Sequence, residues 1–231
     1  MKQVLRLCFS SVLIVLFFVL SILIAKIYFI DRFTAWGPSM EPTIKSGEYV
    51  WINKLTLKSP RVGEIIVFNH PYWRMNSSDS DHFLLLKRII AGPGQTVSIE
   101  NGFWRNSSTI GPIGDVSVQM LLSTMTIKQL YERQIPFHCF SKGGNGRWTI
   151  KDMGPYYIPK KGDCMRIDSV SLALYRRLLK FETSALPDTG SVHIIQNDYY
   201  FVAGDNVFDS RDSRYFGPIP EACIVGKICW Q

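Results

Sequence analysis

Histidine is scarce in this chain, with four residues among 231. None of them (His70, His82, His138, His193) sits in a motif that ties it to a serine, so a serine–histidine triad has no visible base. No cluster of histidine, cysteine and carboxylate has metal-ligand spacing, and no metal or organic cofactor is implied. Repeats, heptads and long low-complexity tracts are missing, which removes solenoid and coiled-coil architectures. Acidic residues are the minority, 19 against 26 basic ones, for a formal net charge of +7. That charge is spread along the chain, with only short clusters such as Lys160-Lys161 and Arg176-Arg177. No nucleic-acid-binding module stands beside it. Attraction to anionic lipid headgroups, or plain solubility, is the use left for it.

Long apolar runs are limited to one. Residues 7–25 carry nineteen positions without a charge, and the apolar character resumes after Lys26 through Ile30. That is about the ~20 residues needed to cross a bilayer. Lys2, Arg6 and the amino terminus precede it with no acid among them, which favours a cytoplasmic N-terminus. A cleavable secretory signal peptide is the alternative, but Lys26-Ile27-Tyr28-Phe29 makes a poor small-residue cleavage site. The expected organisation is a cytoplasmic segment at 1–6, a transmembrane anchor at 7–30, and a body outside the cytoplasm. Cys8 falls in the anchor, and Cys139, Cys164, Cys223 and Cys229 would meet an oxidising compartment. Cys223 and Cys229 flank a strand-like run that would hold them about 20 Å apart, against a ceiling near ~7 Å for a bridge. Cys139 with Cys164 is the favoured pair, and no bridge at all stays open.

After the anchor, short runs of β-branched and aromatic residues alternate with glycine, proline and polar turns. Strands are expected at 49–52, 64–68, 84–90, 96–99, 199–203 and 223–225, which suits a mainly β body. Residues 101–190 differ. They hold the glycine-rich Ser141-Lys142-Gly143-Gly144-Asn145-Gly146 and two weak helical patterns at 123–133 and 169–181. They read as an inserted lobe, with 31–100 and 191–231 forming the catalytic β domain.

Two residues carry the chemistry. Ser39 lies in Gly37-Pro38-Ser39-Met40-Glu41-Pro42-Thr43, where two prolines stiffen a turn and fix the hydroxyl. Lys87 lies inside Phe83-Leu84-Leu85-Leu86-Lys87-Arg88-Ile89-Ile90, so alternation on a strand puts Leu85 and Ile89 on its own face. Burial disfavours the ammonium. Lowering its pKa from ~10.4 to about 8 requires roughly 3 kcal/mol, after which it can take a serine proton near neutral pH. A lysine snorkelling to the strand rim is the bland alternative. A third element is Gly204-Asp205-Asn206-Val207-Phe208-Asp209-Ser210-Arg211-Asp212-Ser213-Arg214-Tyr215-Phe216-Gly217, in which Asp212 and Arg214 can pair and Ser210 offers a hydroxyl.

These elements, in this order behind an N-terminal anchor, resemble the bacterial type I signal peptidases. The likeness extends to Ser46-Gly47-Glu48-Tyr49-Val50-Trp51-Ile52-Asn53-Lys54, to Gly63-Glu64-Ile65-Ile66-Val67-Phe68, to Ala91-Gly92-Pro93-Gly94, and to Gly226-Lys227. The resemblance implies a membrane-bound serine endopeptidase that removes signal peptides from exported preproteins by cutting after an Ala-x-Ala site. It implies a two-lobed, mainly β fold whose apolar surface rests on the bilayer, with Phe33 and Trp36 near the interface. Ser39 is similar to the family nucleophile and Lys87 to its general base. Ser210 resembles the hydroxyl that hydrogen-bonds the lysine, and Asp212 and Arg214 resemble the bracing pair. Met40, Ile44, Leu85 and Leu86 are positioned to wall the subsites for small residues. Location in the bacterial inner membrane, a single span, signal peptides and lipid as partners, no nucleic acid, and a monomer are implied with it.

Two positions depart from the family pattern. Some members carry a serine two residues before the nucleophile, where this chain has Gly37, so the Ser39 backbone N–H would carry more of the oxyanion stabilisation. The residue after Gly-Asp-Asn is often arginine and here is Val207. Rival readings are a cytosolic self-cleaving repressor with a similar dyad, a processing peptidase for a conjugation or pilin-type substrate, and a catalytically silent membrane-bound binder. The anchor and the lack of a DNA-binding helix pair oppose the first. Intact Ser39 and Lys87 oppose the last.

Overall fold

Apolar residues at alternate positions between turn-forming residues give short strands with one buried face, and these dominate the chain. The computed structural model describes residues 2–28, 30–54, 60–72, 84–140 and 148–230, with side chains of 2–9, 24–28 and 230 left aside. Helix α1 spans Lys2–Tyr28. Strands β1 (Ile30–Thr34), β2 (Tyr49–Asn53), β3 (Ile65–Asn69), β4 (Leu84–Ala91), β5 (Thr96–Glu100) and β6 (Phe103–Asn106) follow. Then come α2 (Val116–Thr124), α3 (Ile127–Glu132), β7 (Met153–Tyr157), β8 (Cys164–Arg166) and α4 (Ser169–Thr183). The chain closes with β9 (Val192–Ile194), β10 (Tyr199–Ala203), α5 (Ser213–Phe216), β11 (Ile219–Pro220) and β12 (Ile224–Trp230).

Seven strands form one sheet in the order β1-β2-β12-β3-β4-β10-β11, every pair antiparallel. Strands from the two ends of the chain therefore interleave, with β12 seated between β2 and β3. A second sheet has the order β6-β5-β7, and β8 pairs with β9. Residues 96–100, grouped by sequence with the catalytic domain, thus pair with β6 and β7 from the inserted segment. Glu100 sits opposite Phe103 across a two-residue turn, and that tight hairpin commits β5 to the second sheet. One buried cluster joins Ile90, Tyr199 and Phe201 of the large sheet to Val97, Trp104, Leu130, Tyr156 and Leu179. Residues from 101–190 thus share this core with the main sheet.

The helical pattern at 169–181 is α4, started by an Asp168–Ser171 capping box. The pattern at 123–133 splits instead. α2 ends at Thr124 and Thr126 caps α3, accepting from Gln129 N. None of Cys139, Cys164, Cys223 and Cys229 is in a disulfide. Cys139 is buried while Cys164 is exposed, so the favoured pairing does not form.

The side chains of α1 described at 10–23 are all exposed. Among the described residues no helix is long and apolar enough to cross a membrane. The flanking Lys2, Arg6, Cys8 and Lys26 side chains, His82, Phe83 and the glycine-rich stretch 141–146 lie outside the described side chains or residues.

Candidate active site

Gly37 opens the turn that carries Ser39. Its φ of 82° and ψ of 162° lie in a region that glycine alone adopts readily, and its N–H donates to Ser46 Oγ at 3.1 Å. Pro38 then starts a single 3-10 turn, Pro38–Met40. The 204–217 loop holds this turn from the other side. Asn206 N donates to Ser39 O at 3.1 Å and Asn206 Nδ2 to Pro38 O at 3.1 Å. Gly204 lets the two segments meet, because a β-carbon there would fall 2.2 Å from Ser39 O and 2.4 Å from Ser210 Oγ.

Lys87 comes from β4, whose Leu84–Asn69 to Arg88–Ile65 register with β3 is regular. Alternation sends Leu85 and Ile89 into a cluster with Ile66, Phe68, Tyr200 and Val202, while Leu86 packs with Met40, Val50 and Val67. Lys87 itself is 2 % exposed. Its Nζ donates to Ser39 Oγ at 2.5 Å and to Leu86 O at 3.0 Å. Burial lowers its pKa to about 8, Asp212 pulls it back up, and Arg214 pushes it down again. At pH near 8 a large share of the amine is neutral, and a neutral Nζ can accept the Ser39 proton.

Asp212 and Arg214 are fully buried together. Arg214 Nε reaches Asp212 Oδ1 at 2.9 Å and Nη2 reaches Oδ2 at 2.8 Å. Burial pushes the Asp212 carboxyl up, but Arg214, Ser210 and the Gly204 N–H outweigh it and hold the carboxyl below its ordinary range. Arg214 also ties back to the loop through Nη1 to Val207 O at 3.1 Å.

One expected contact is replaced. The Ser210 hydroxyl donates to Asp212 Oδ2 at 2.7 Å, whereas the bonds of Lys87 go to Ser39 and Leu86. A carboxylate is the stronger acceptor and draws the hydroxyl away from the lysine. A second expectation also shifts. Met40, Leu85 and Leu86 do line a cavity of about 200 Å³ beside Ser39, together with Phe33, Ala35 and Trp36. Ile44 does not; it is 1 % exposed and packs beneath Met40 in the core.

Asp205 supplies a further link between the segments that carry the dyad. The Asp205 carboxylate accepts from Arg88 Nε at 2.8 Å, Arg88 Nη2 at 2.6 Å and Thr43 Oγ1 at 2.5 Å. Both Arg88 and Thr43 sit within the quoted motifs. A short polar residue and an arginine, each close in sequence to a dyad member, were the available signal.

The arrangement places a hydroxyl against a desolvated amine in a small apolar cavity, with a braced carboxylate–guanidinium pair behind them. A family model described as signal peptidase, peptidase S26, matches residues 8–135 and 144–230, nearly the whole chain. The chain belongs to the peptidase S26 family. Its membership makes it a serine endopeptidase of the signal peptidase I type. Signal peptidase I of Aquifex aeolicus (strain VF5) is 26 % identical over 213 residues, spanning 90 % of this chain and 78 % of that one. Signal peptidase I V of Bacillus subtilis (strain 168) is 25 % identical over 213 residues, covering 91 % and 89 %. Signal peptidase IB of Staphylococcus aureus is 26 % identical over 219 residues, covering 93 % and 83 %. A crystal structure of a signal peptidase I from Enterococcus faecalis V583 overlaps 74 % of this chain and 97 % of that one. Its identity is 20 % and its TM-score 0.36, too low to bear on the site.

Proposed function

We propose that this peptidase removes N-terminal signal peptides from exported preproteins, with Ser39 as nucleophile and Lys87 as general base. The observation that carries the reading is the 2.5 Å contact between Lys87 Nζ and Ser39 Oγ, made by a lysine that burial brings to a pKa of about 8. Ser39 Oγ attacks the scissile carbonyl carbon as its proton passes to Lys87 Nζ. The tetrahedral adduct collapses, Lys87 returns the proton to the departing amine, and the mature chain leaves. Water then attacks the acyl-serine ester, giving a proton to Lys87, which passes it to Ser39 Oγ as the acyl–oxygen bond breaks and the signal peptide's carboxylate leaves. Gly37 brings no hydroxyl to the oxyanion, and its N–H is engaged by Ser46. The Ser39 N–H is the donor assigned to the developing charge.

The cavity of about 200 Å³ walled by Met40, Leu85 and Leu86 suits small side chains before the cut. Asp212 and Arg214 brace the 204–217 loop, and Ser210 acts through Asp212. In this reading the apolar run 7–30 is the single membrane anchor. Apolar side chains exposed all round a helix, as at 10–23, call for a lipid surround rather than water. Trp36, 80 % exposed at the rim of the Ser39 cavity, suits the lipid interface. The N-terminus would lie in the cytoplasm and the monomeric body outside it, on the bacterial inner membrane. The body would comprise 31–100 and 191–231, carrying 101–190 as its insert.

The test is a preprotein with an Ala-x-Ala site, incubated with detergent-purified protein and its Ser39→Ala and Lys87→Ala variants. The expected product is a new N-terminus directly after the second alanine, made by wild type alone and read by mass spectrometry. Cleavage elsewhere would refute the substrate class, and near-normal cleavage by either variant would refute the dyad.

A further inference from the structure

A second, larger cavity of about 780 Å³ is distinct from the one that holds Ser39, and the two share no lining residue. Its apolar wall comes from Tyr131 at the end of α3, from Ile135 and Phe137 just after it, and from Phe208 and Tyr215 of the 204–217 loop. Its volume falls within the range of about 300–1,000 Å³ typical of ligand sites. Ser210 lines it and sits close to the nucleophile's main chain. The Ser210 Oγ and the Ser39 carbonyl oxygen both crowd the one position that a β-carbon on Gly204 would occupy. Ser210 also shares the Asp212 carboxylate with Arg214.

Tyr131 is not part of the core. It is 73 % exposed on a short helix whose buried residue is Leu130. Ile135, Phe137, Phe208 and Tyr215 are only partly buried against the core, so each keeps apolar surface toward the groove. An extended peptide attacked at Ser39 must enter on one side of the nucleophile and leave on another. The small cavity along Leu84–Lys87 suits the small residues before the cut. That leaves the groove lined by Ser210, close to the Ser39 main chain, for the residues after the cut.

We propose that this groove binds the stretch of preprotein that follows the scissile bond, and that it favours an apolar or aromatic side chain there. The inference rests on the peptidase reading above. It makes the inserted segment, through α3 and the residues after it, part of the substrate site. It also lets the chain discriminate among preproteins by the start of the mature sequence as well as by the end of the signal peptide.

The experiment uses three peptides identical through the cleaved bond. One ends a single residue after it, one continues with six residues that include phenylalanine and leucine, and one continues with six glycines and serines. Wild type, Tyr131→Ala and Phe137→Ala are compared by kcat and KM. Wild type should show its lowest KM for the apolar extension. Each variant should raise that KM about tenfold, in keeping with loss of a central aromatic contact, and leave kcat unchanged. Turnover of the shortest peptide should be unaltered, which also certifies the fold. Equal KM for the two extensions in wild type, or variants that impair the shortest peptide as much as the apolar one, would overturn the groove's role. Failure of wild type to cut any of the three would overturn the peptidase reading, and the groove's role with it.

Discussion

The Asp205 carboxylate holds the Arg88 guanidinium by two hydrogen bonds, at 2.8 and 2.6 Å, across 117 residues of sequence. Arg88 is the neighbour of Lys87, and the same carboxylate accepts from Thr43, four residues beyond Ser39. One buried acid therefore fixes the separation of the two strands of chain that meet at the dyad. Thr43→Val keeps the shape and removes one charge-assisted hydrogen bond. It should lower kcat by about ten- to a hundredfold with KM little changed, since about 1.5–3 kcal/mol of positioning is lost. Asp205→Asn should cost more, because Arg88, whose side chain is 17 % exposed, loses its counter-charge. Unaltered kcat in both variants would show that the link is structural only.

Lys87 is a site where function opposes stability. Its pKa falls from 10.5 to about 8 on folding, so keeping it charged at pH 7 costs roughly 3 kcal/mol. Lys87→Met should therefore be inactive yet no less stable than wild type at pH 7. The sign follows from proton counting: between pH 8 and 10.5 the unfolded chain binds the extra proton, so this group makes wild type gain stability as pH rises. The difference between the two proteins should narrow across that window. Denaturant titrations at pH 7 and pH 10 would measure it, and a constant difference would argue against a desolvated lysine.

Gly204→Ala places a methyl group 2.2 Å from the Ser39 carbonyl and 2.4 Å from Ser210 Oγ. Ser39 O belongs to the backbone, and Ser210 Cβ also falls at 2.7 Å, so rotating the hydroxyl alone does not relieve the clash. The substitution should reduce kcat by at least about a hundredfold, as misplacement of a reacting group by about 1 Å does. Near-normal turnover would mean that the 204–217 loop can move away from the nucleophile's turn.

Asp212→Asn removes the charge that faces Arg214 while both side chains remain buried. It should destabilise the protein by about 3–5 kcal/mol, the usual cost of stranding a buried charge. The native carboxyl is held below its ordinary pKa, so its contribution is present above the unfolded value and is lost as pH falls through the folded one. Wild type should lose stability on acidification more steeply than Asp212→Asn does. Parallel pH dependence would contradict the assignment.

Much of this was legible locally. β2, β4 and β10 follow from short apolar runs bounded by turn residues, and the Ser39 and Lys87 segments carry their own signals of a stiff turn and a lysine among aliphatics. What escaped the sequence depends on long-range choices. β7 contains Gly154-Pro155, which reads as a breaker, and the assignment of β5 to the second sheet follows from its tight hairpin with β6. Whether the Ser210 hydroxyl meets Lys87 or Asp212 is decided by distances no spacing reveals. Ile44 lies close enough to Ser39 in sequence to suggest the pocket, but the 3-10 turn carries it inward. The large groove joins residues 131–137 to 208–215 and exists only once the chain is folded.

The most direct test of the central claim is the pH dependence of single-turnover cleavage, in which the chemical step sets the rate. Wild type should speed up through an apparent pKa near 8 and level off above it, as the Lys87 amine loses its proton. Ser39→Ala and Lys87→Ala should stay at background throughout. A rate that is flat from pH 5 to 9, or a Lys87→Ala variant that retains the wild-type profile, would contradict a serine–lysine dyad.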